Sequence, residues 1–365
     1  MNLRSVVSGA VRLLTTPQPS GPQSSPRSPP TRPVGHSTVD AFTGPTKGVP
    51  DKKHYATTST GQPVVSQREA GDYYCEHTAW ALNFEALKKS SSIRADASGE
   101  KLVGFLHIPG GADQPGPNRH TATTEVVGAA FRGYVDTIRG KDPQTNPVKL
   151  MLTGYGTFAG VADNPTGDFV GAQANIDHTM RAAFGSSLVS AKGKPISTAA
   201  GTAYEYEVKD PKGQTFKVQV LAKKLAVDDA SINAGPNSIQ RLMKDFQPQA
   251  ALSLGVNPNE ATSYQVVTRA DLGGTEFKRG GALRHEGSRK VKDANGDAKE
   301  TKHAELHNEA LGKAILLGQG KYQVRAGDTL ASIAARNHTT AEALMKLNGI
   351  KDATSLRAGS LILVR

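Results

Sequence analysis

The sequence predicts an α/β protein built as a three-layer α/β/α domain around a mostly parallel sheet, followed by a small β-α-α-β module. Two observations predict the larger domain. Short apolar runs ending at Pro or Gly read as buried strands, first at Leu102–Ile108 and Val148–Leu152. Phe216–Ala222, Ala250–Val256 and Tyr264–Arg269 are further strand candidates. Helical patterns lie between them: Trp80, Phe84 and Leu87 share one face, as do Val127, Ala130, Tyr134 and Ile138, and then Ile239, Leu242, Met243 and Phe246. Strands alternating with helices imply a sheet covered on both faces, with its active site beyond the carboxyl ends of the strands.

The flanks differ in composition. Residues 1–60 hold nine of the 21 prolines among Ser, Thr and Gly, which predicts a disordered tail. Arg12 interrupts the weakly apolar run Ser5–Leu14 and no small-residue cleavage site follows, so the start makes a poor signal peptide. Localisation is left between the cell envelope, reached by an unrecognised route, and the cytoplasm. No apolar run approaches the roughly 18 residues a membrane helix needs. The expected units are therefore a tail at 1–60, the α/β domain at 61–318 and the module at 319–365.

The net charge is +11, of which +5 falls in residues 1–60 and +4 in residues 321–365. That leaves +2 for the whole central region, a distribution unlike that of a nucleic-acid-binding domain. A chain with Cys75 as its single cysteine forms no intramolecular disulfide and needs no oxidising compartment. The charged stretch Leu283–Asn308 reads as a long surface loop leading to a short helix, Glu305–Leu317. His303 and His307 stand at i, i+4 within it, a metal-compatible spacing that lacks an evident third ligand.

In the C-terminal module, Gly327 supplies a turn and Asp328 or Thr329 can cap a helix whose inner face is Leu330, Ile333 and Ala334. Thr340 can cap a second helix with Leu344 and Leu347 inward, and Leu356–Val364 returns as a strand. The motifs Tyr322-x-Val324, Gly327-Asp328-Thr329-Leu330, Ile333-Ala334, Leu344-x-x-x-Asn348-x-Ile350 and a terminal Gly-x-x-Leu occur in order. Together they resemble the LysM family. The resemblance implies binding to peptidoglycan or another N-acetylglucosamine-containing glycan, in a shallow groove formed by Gly327, Asp328, Thr329 and Leu330 with Asn348, Gly349 and Ile350.

Three segments of the central region carry chemistry. Cys75 immediately precedes a predicted helix, whose positive N-terminal end favours the nucleophilic thiolate. His107 ends a predicted strand, where an imidazole can act as base toward a neighbouring thiol. The strand Leu150–Thr153 runs into a glycine-rich loop that lacks both the Lys-Ser/Thr of a P-loop and the dinucleotide spacing, so no nucleotide or other cofactor is expected.

These segments resemble pyroglutamyl peptidase I, the pyrrolidone-carboxylate peptidase family of cysteine peptidases. The matches are Thr153–Gly160 with Asn164-Pro165, Ala70–Cys75 for the nucleophile, and Phe105–Pro109 for the base, with Gln114 where the family also has Gln. The order is changed, because here the Cys–His half comes first. That is the signature of circular permutation, with Arg139–Pro147 joining the old termini. By resemblance Cys75 and His107 are catalytic, with Glu260 or Gln265 as third member. Tyr155, Phe158 and Asn164 would bind substrate. Glu76 stands where the family has Asn, and the altered loop (Gly156, Thr157, Ala159) departs from its pattern. The expected function is a cysteine-type amide hydrolase with a peptide substrate, held at a bacterial cell wall by the glycan module. Two alternatives are an amidase of cell-wall peptides and an inactive cell-wall-binding protein.

Overall fold

The computed structural model of the protein describes residues 53–67, 74–110, 116–157, 164–210, 213–227, 238–257, 262–273, 285–292, 298–337 and 339–364. The tail predicted for residues 1–60 lies outside them up to residue 52. Beyond that point the chain is already folded. β1 (His54–Thr57) buries Tyr55 and Ala56 and pairs with β2 (Pro63–Gln67) as a hairpin, so the domain begins earlier than the composition suggests.

The central strands are β3 (Val103–Pro109), β4 (Val148–Tyr155), β7 (Thr215–Leu225) and β8 (Ala250–Asn257). They run parallel in the order β3-β8-β4-β7. β9 (Tyr264–Val267) lies antiparallel against β3 and parallel to β2. On the far side, β5 (Lys194–Thr198) and β6 (Gly201–Lys209) form a hairpin antiparallel to β7. The full order is β1-β2-β9-β3-β8-β4-β7-β6-β5. This corrects the expectation of a mostly parallel sheet: the interior is parallel, but the edges are hairpins, and the sheet as a whole is mixed. Hairpins need no crossover helix, so they extend a sheet where covering helices run out.

Two helical layers cover the sheet, as the sequence predicts. On one face lie α2 (Gly116–Lys141), α3 (Pro165–Gly171), α4 (Gln173–Phe184) and α6 (Ala310–Gly318), packed on Leu102, Leu106, Leu150, Leu152, Leu252 and Leu254. On the other lie α1 (Tyr74–Leu87) and α5 (Ile239–Phe246), packed on Val103, Phe105, Met151 and Ala251. The predicted faces of α2 and α5 are the buried ones. The face predicted for α1 is not. Ala79, Leu82 and Ala86 face the sheet, while Trp80 and Phe84 stack on each other at 4.6 Å on the helix flank. Alanines let the helix backbone approach the strands closely, a preference that a search for large apolar residues overlooks.

α2 and α6 cross nearly in backbone contact. A Cβ on Gly133 would lie 1.9 Å from the Ala314 carbonyl oxygen, and one on Gly318 would lie 1.8 Å from that of Ala129. Either clash would force the helices apart.

The charged stretch read as a surface loop is a second sheet. β10 (Arg269–Gly273), β11 (His285–Lys292) and β12 (Ala298–His307) pair antiparallel in the order β10-β12-β11. The helix that follows begins at Ala310 rather than Glu305. His303 and His307 therefore stand four residues apart on a strand, about 13 Å along it, which is too far to share one ion.

The C-terminal module has the predicted β-α-α-β order: β13 (Lys321–Gln323), α7 (Leu330–Arg336), α8 (Ala341–Asn348) and β14 (Leu361–Leu363). Its core is Val324, Leu330, Ile333, Ala334, Leu344, Ile362 and Val364. Leu347, expected inward, is 44% exposed, because α8 turns only Leu344 fully into so small a core. The module follows α6 directly and is also tied to the larger domain by Arg325, whose guanidinium lies 3.3 Å from Asp96.

Candidate thiol site and glycan loops

Along β3, Phe105 and His107 point to the α1/α5 side of the sheet. Ser253 and Gly255 of β8, Thr153 and Tyr155 of β4, and Gln265 of β9 share that side by register. Cys75 is the second residue of α1, at the helix end whose free N–H groups favour an anion. Its sulfur sits over Gly255: a Cβ there would lie 2.9 Å from Sγ and 2.5 Å from the Phe105 ring. Gly255 is the partner of His107 across β3 and β8, strands about 4.8 Å apart. The sulfur and the imidazole are thus brought to one face, at the carboxyl ends of adjacent parallel strands.

His107 is 2% exposed, and burial pushes its imidazole down to about 4, so it is neutral at pH 7. Its Nδ1 lies 2.9 Å from Oε1 of Gln67. An amide oxygen only accepts, so Nδ1 carries the proton and Nε2 keeps the lone pair that a base requires. Phe105 sets the ring from the other side, edge-on at 5.2 Å. Gln67 was not among the residues singled out in the sequence. Gln265 faces His107 in register and its Oε1 accepts from Asn257 Nδ2 at 2.7 Å. Glu260 and Phe158 lie outside the described residues.

Tyr155 and Asn164 both lie among the described residues. The Tyr155 ring is 3% exposed within the core beneath α1 and α5. Its hydroxyl completes no hydrogen bond of good geometry and is held well above its ordinary pKa, first by burial and then by the charge of the Cys75 thiolate. Thr153 Oγ1 donates to Ser253 Oγ at 2.8 Å. Asn164 caps α3: its Oδ1 accepts from Thr166 N at 3.1 Å and Thr166 Oγ1 at 2.7 Å. Thr166 Oγ1 in turn accepts from Tyr155 N at 2.9 Å, which locks the end of β4 to the helix.

In the module, Thr329 is the cap of α7, in a capping box with Ser332, and Thr340 caps α8. Asp328 is an internal hub. It accepts from Tyr322 Oη and from Arg325 N, each at 2.8 Å, and from Arg336. Burial alone would raise its carboxyl, but Arg336 and these donors hold it below its usual range. Asn348 also bonds inward: Leu363 N donates to its Oδ1 at 2.6 Å, and its Nδ2 donates to the Leu344 and Leu363 carbonyls. Gly327 and Gly349 take left-handed φ values of 82° and 62°. Of the seven expected glycan-contact residues, Asp328 and Asn348 therefore spend their side chains on holding the two loops. Gly327, Thr329 and Gly349 are exposed, Ile350 is half-buried, and Leu330 is in the core.

Residues 322–365 match the LysM domain model, which implies binding to N-acetylglucosamine-containing glycans. No curated protein and no solved structure matches the chain. Among the described residues no helix is long and apolar enough to cross a membrane.

Proposed function

We propose that the protein is a cysteine-type amide hydrolase, of the pyroglutamyl-peptidase kind in circularly permuted order, held at peptidoglycan or a similar glycan by its LysM module. The observation that carries the reading is the placement of Cys75 Sγ over Gly255, beside a His107 whose Nδ1 is tied to Gln67. In this reading His107 Nε2 takes the thiol proton. The thiolate attacks the amide carbonyl carbon, an S–C bond forms, and the carbonyl π pair moves to oxygen. Collapse of that intermediate expels the amine, which receives the proton back from the imidazolium, and water then hydrolyses the thioester. An amide at Gln67 orients the ring, as Asn does in papain-like sites, but stabilises the imidazolium less than a carboxylate would.

The LysM match favours amides in cell-wall stem peptides as a second substrate set beside pyroglutamyl amides. Both are assayed with the full chain and its Cys75→Ser variant. Hydrolysis that disappears in the variant is the expected outcome. Full activity in Cys75→Ser ends the proposal. Absence of hydrolysis of either set by the native chain leaves a glycan-binding protein with an inactive domain.

A further inference from the structure

A cleft of about 770 Å³ lies between the α/β domain and the LysM module, a volume in the range of sites that hold small ligands. It is bounded by the second half of α2, the paired ends of β6 and β7, and β13 with the turn that follows it. Arg132 and Arg139, two turns apart on α2, line it with their guanidiniums laid on aromatic rings, 5.4 Å from the Phe184 centroid and 4.0 Å from that of Phe216. Their side chains are only 18% and 14% exposed, yet neither is fully neutralised. Asp136 bonds Arg132 through Nε alone, and Asp210 lies 3.9 Å from Arg139. The third acid of the lining, Asp96, is taken by Lys313 and Arg325. Lys141, Lys209 and Lys321 also line the cleft and have no carboxylate partner among the described residues. Between these cations the lining is apolar, with Val208 and a 37% exposed Leu188. Solvated surface lysines mark nothing by themselves. Here they rim a concave, partly apolar surface in which two guanidiniums are fixed before any partner arrives.

We propose that this cleft binds an acidic peptide, whose carboxylates meet Arg132 and Arg139 and whose short apolar side chains meet Leu188 and Val208. The planar guanidinium fork suits carboxylates, which accept two N–H bonds at once. The module beside it supplies the source, because peptidoglycan carries short acidic peptides on its sugar chain. Arg325 of the cleft is two residues from Gly327 in the loop expected to bind sugar, at most about 7 Å along the chain. A stem of about four residues spans roughly 13 Å when extended, enough to reach from that loop into the cleft. Residues 1–60 carry +5 and so are a poor occupant of a basic cleft. A phosphate polymer would match the charge but leave the apolar lining unfilled. The proposal rests on the glycan-binding part of the reading above and not on its thiol chemistry. Leu102 and Phe216 put the cleft at the amino ends of β3 and β7, whereas Cys75 lies over the carboxyl end of β8. A peptide held here is an anchor rather than the bond that is cut.

The test is binding of three labelled probes to the full chain. They are the N-acetylglucosamine–N-acetylmuramic acid disaccharide, the same disaccharide bearing an alanyl-γ-glutamyl-diaminopimelate stem, and that stem form with its peptide carboxylates amidated. A charge-assisted hydrogen bond makes the acidic form bind about tenfold tighter than either of the others. Arg139→Gln should remove that advantage and leave binding of the bare disaccharide unchanged. The double variant Lys209→Glu with Lys321→Glu should remove it as well, and decides alone if Arg139→Gln does not fold. Equal binding of all three probes by the native chain overturns the proposal, as does an advantage that survives the double variant. Displacement of the acidic probe by poly(glycerol phosphate) as readily as by the free acidic peptide overturns the peptide assignment. Free peptide that binds and weakens about tenfold in Arg139→Gln, with no binding of the bare disaccharide, would sink the glycan reading and leave the cleft standing. Disaccharide binding with no preference for the acidic stem would do the reverse.

Discussion

Asp96 and His107, toward opposite ends of β3, are buried polar groups stabilised in opposite ways. At the amino end, Asp96 is buried just before β3 and is surrounded by donors. Ser98 Oγ, Ser98 N and Glu100 N bond its carboxylate, Arg325 lies 3.3 Å away, and Lys313 lies 3.6 Å away while also bonding Glu100. Burial by itself would raise the Asp96 carboxyl, but these partners hold it below its usual range. At the carboxyl end, His107 is stripped of charge by burial, and Tyr155 keeps a hydroxyl with no good partner. Asp96 keeps its charge through its partners, whereas His107 gives its charge up and keeps the Nε2 lone pair, the state a general base needs under the proposed reading.

The contrast can be broken at three points. The largest effect belongs to Gly133→Ala, which pushes a methyl into the Ala314 carbonyl where α2 and α6 cross. Loss of about 3 kcal/mol or more in urea unfolding is expected, and a neutral substitution would mean the helices have slack. Next is acid. The His107 imidazole titrates near 6.5 when unfolded and about 4 when folded, so its contribution is complete above pH 6.5 and is lost as pH falls toward 4. The shift corresponds to about 3 kcal/mol across that window. Replacing His107 with Asn should flatten this part of the stability profile, and an unchanged slope would assign the acid sensitivity elsewhere. The smallest is Asp96→Asn, expected to cost roughly 2 kcal/mol because Lys313 and Arg325 keep partial solvent access. It should also raise the rate of limited proteolysis between the module and α6. Cleavage at the native rate would show that the Asp96 pairings do not hold the module.

Legibility in the sequence followed the same division. Apolar period alone placed β3, β4, β7 and β8 and the inner faces of α2 and α5, because each is buried by many large side chains. The hairpins β1–β2, β5–β6 and β11–β12 escaped it. Their pairing partners are local and their apolar content is low, although the alternation Tyr204-Glu205-Tyr206-Glu207-Val208-Lys209 was there to read. In the site, Cys75 and His107 were visible as residue types in suggestive positions. Gln67 was not, since an amide reaching across from β2 to β3 leaves no mark in sequence spacing. Asp328 and Asn348 were legible as motif members, yet their work inside the module depends on donors that only folding brings to them.

The crossing of α2 and α6 governs more than its own neighbourhood. Gly318 is the last residue of α6, it rests against Ala129, and β13 starts only three residues later. How deeply that helix sinks into the core therefore dictates where the LysM module stands. The module inherits its pose from side chains that were never there, and any methyl added at the crossing would tilt it.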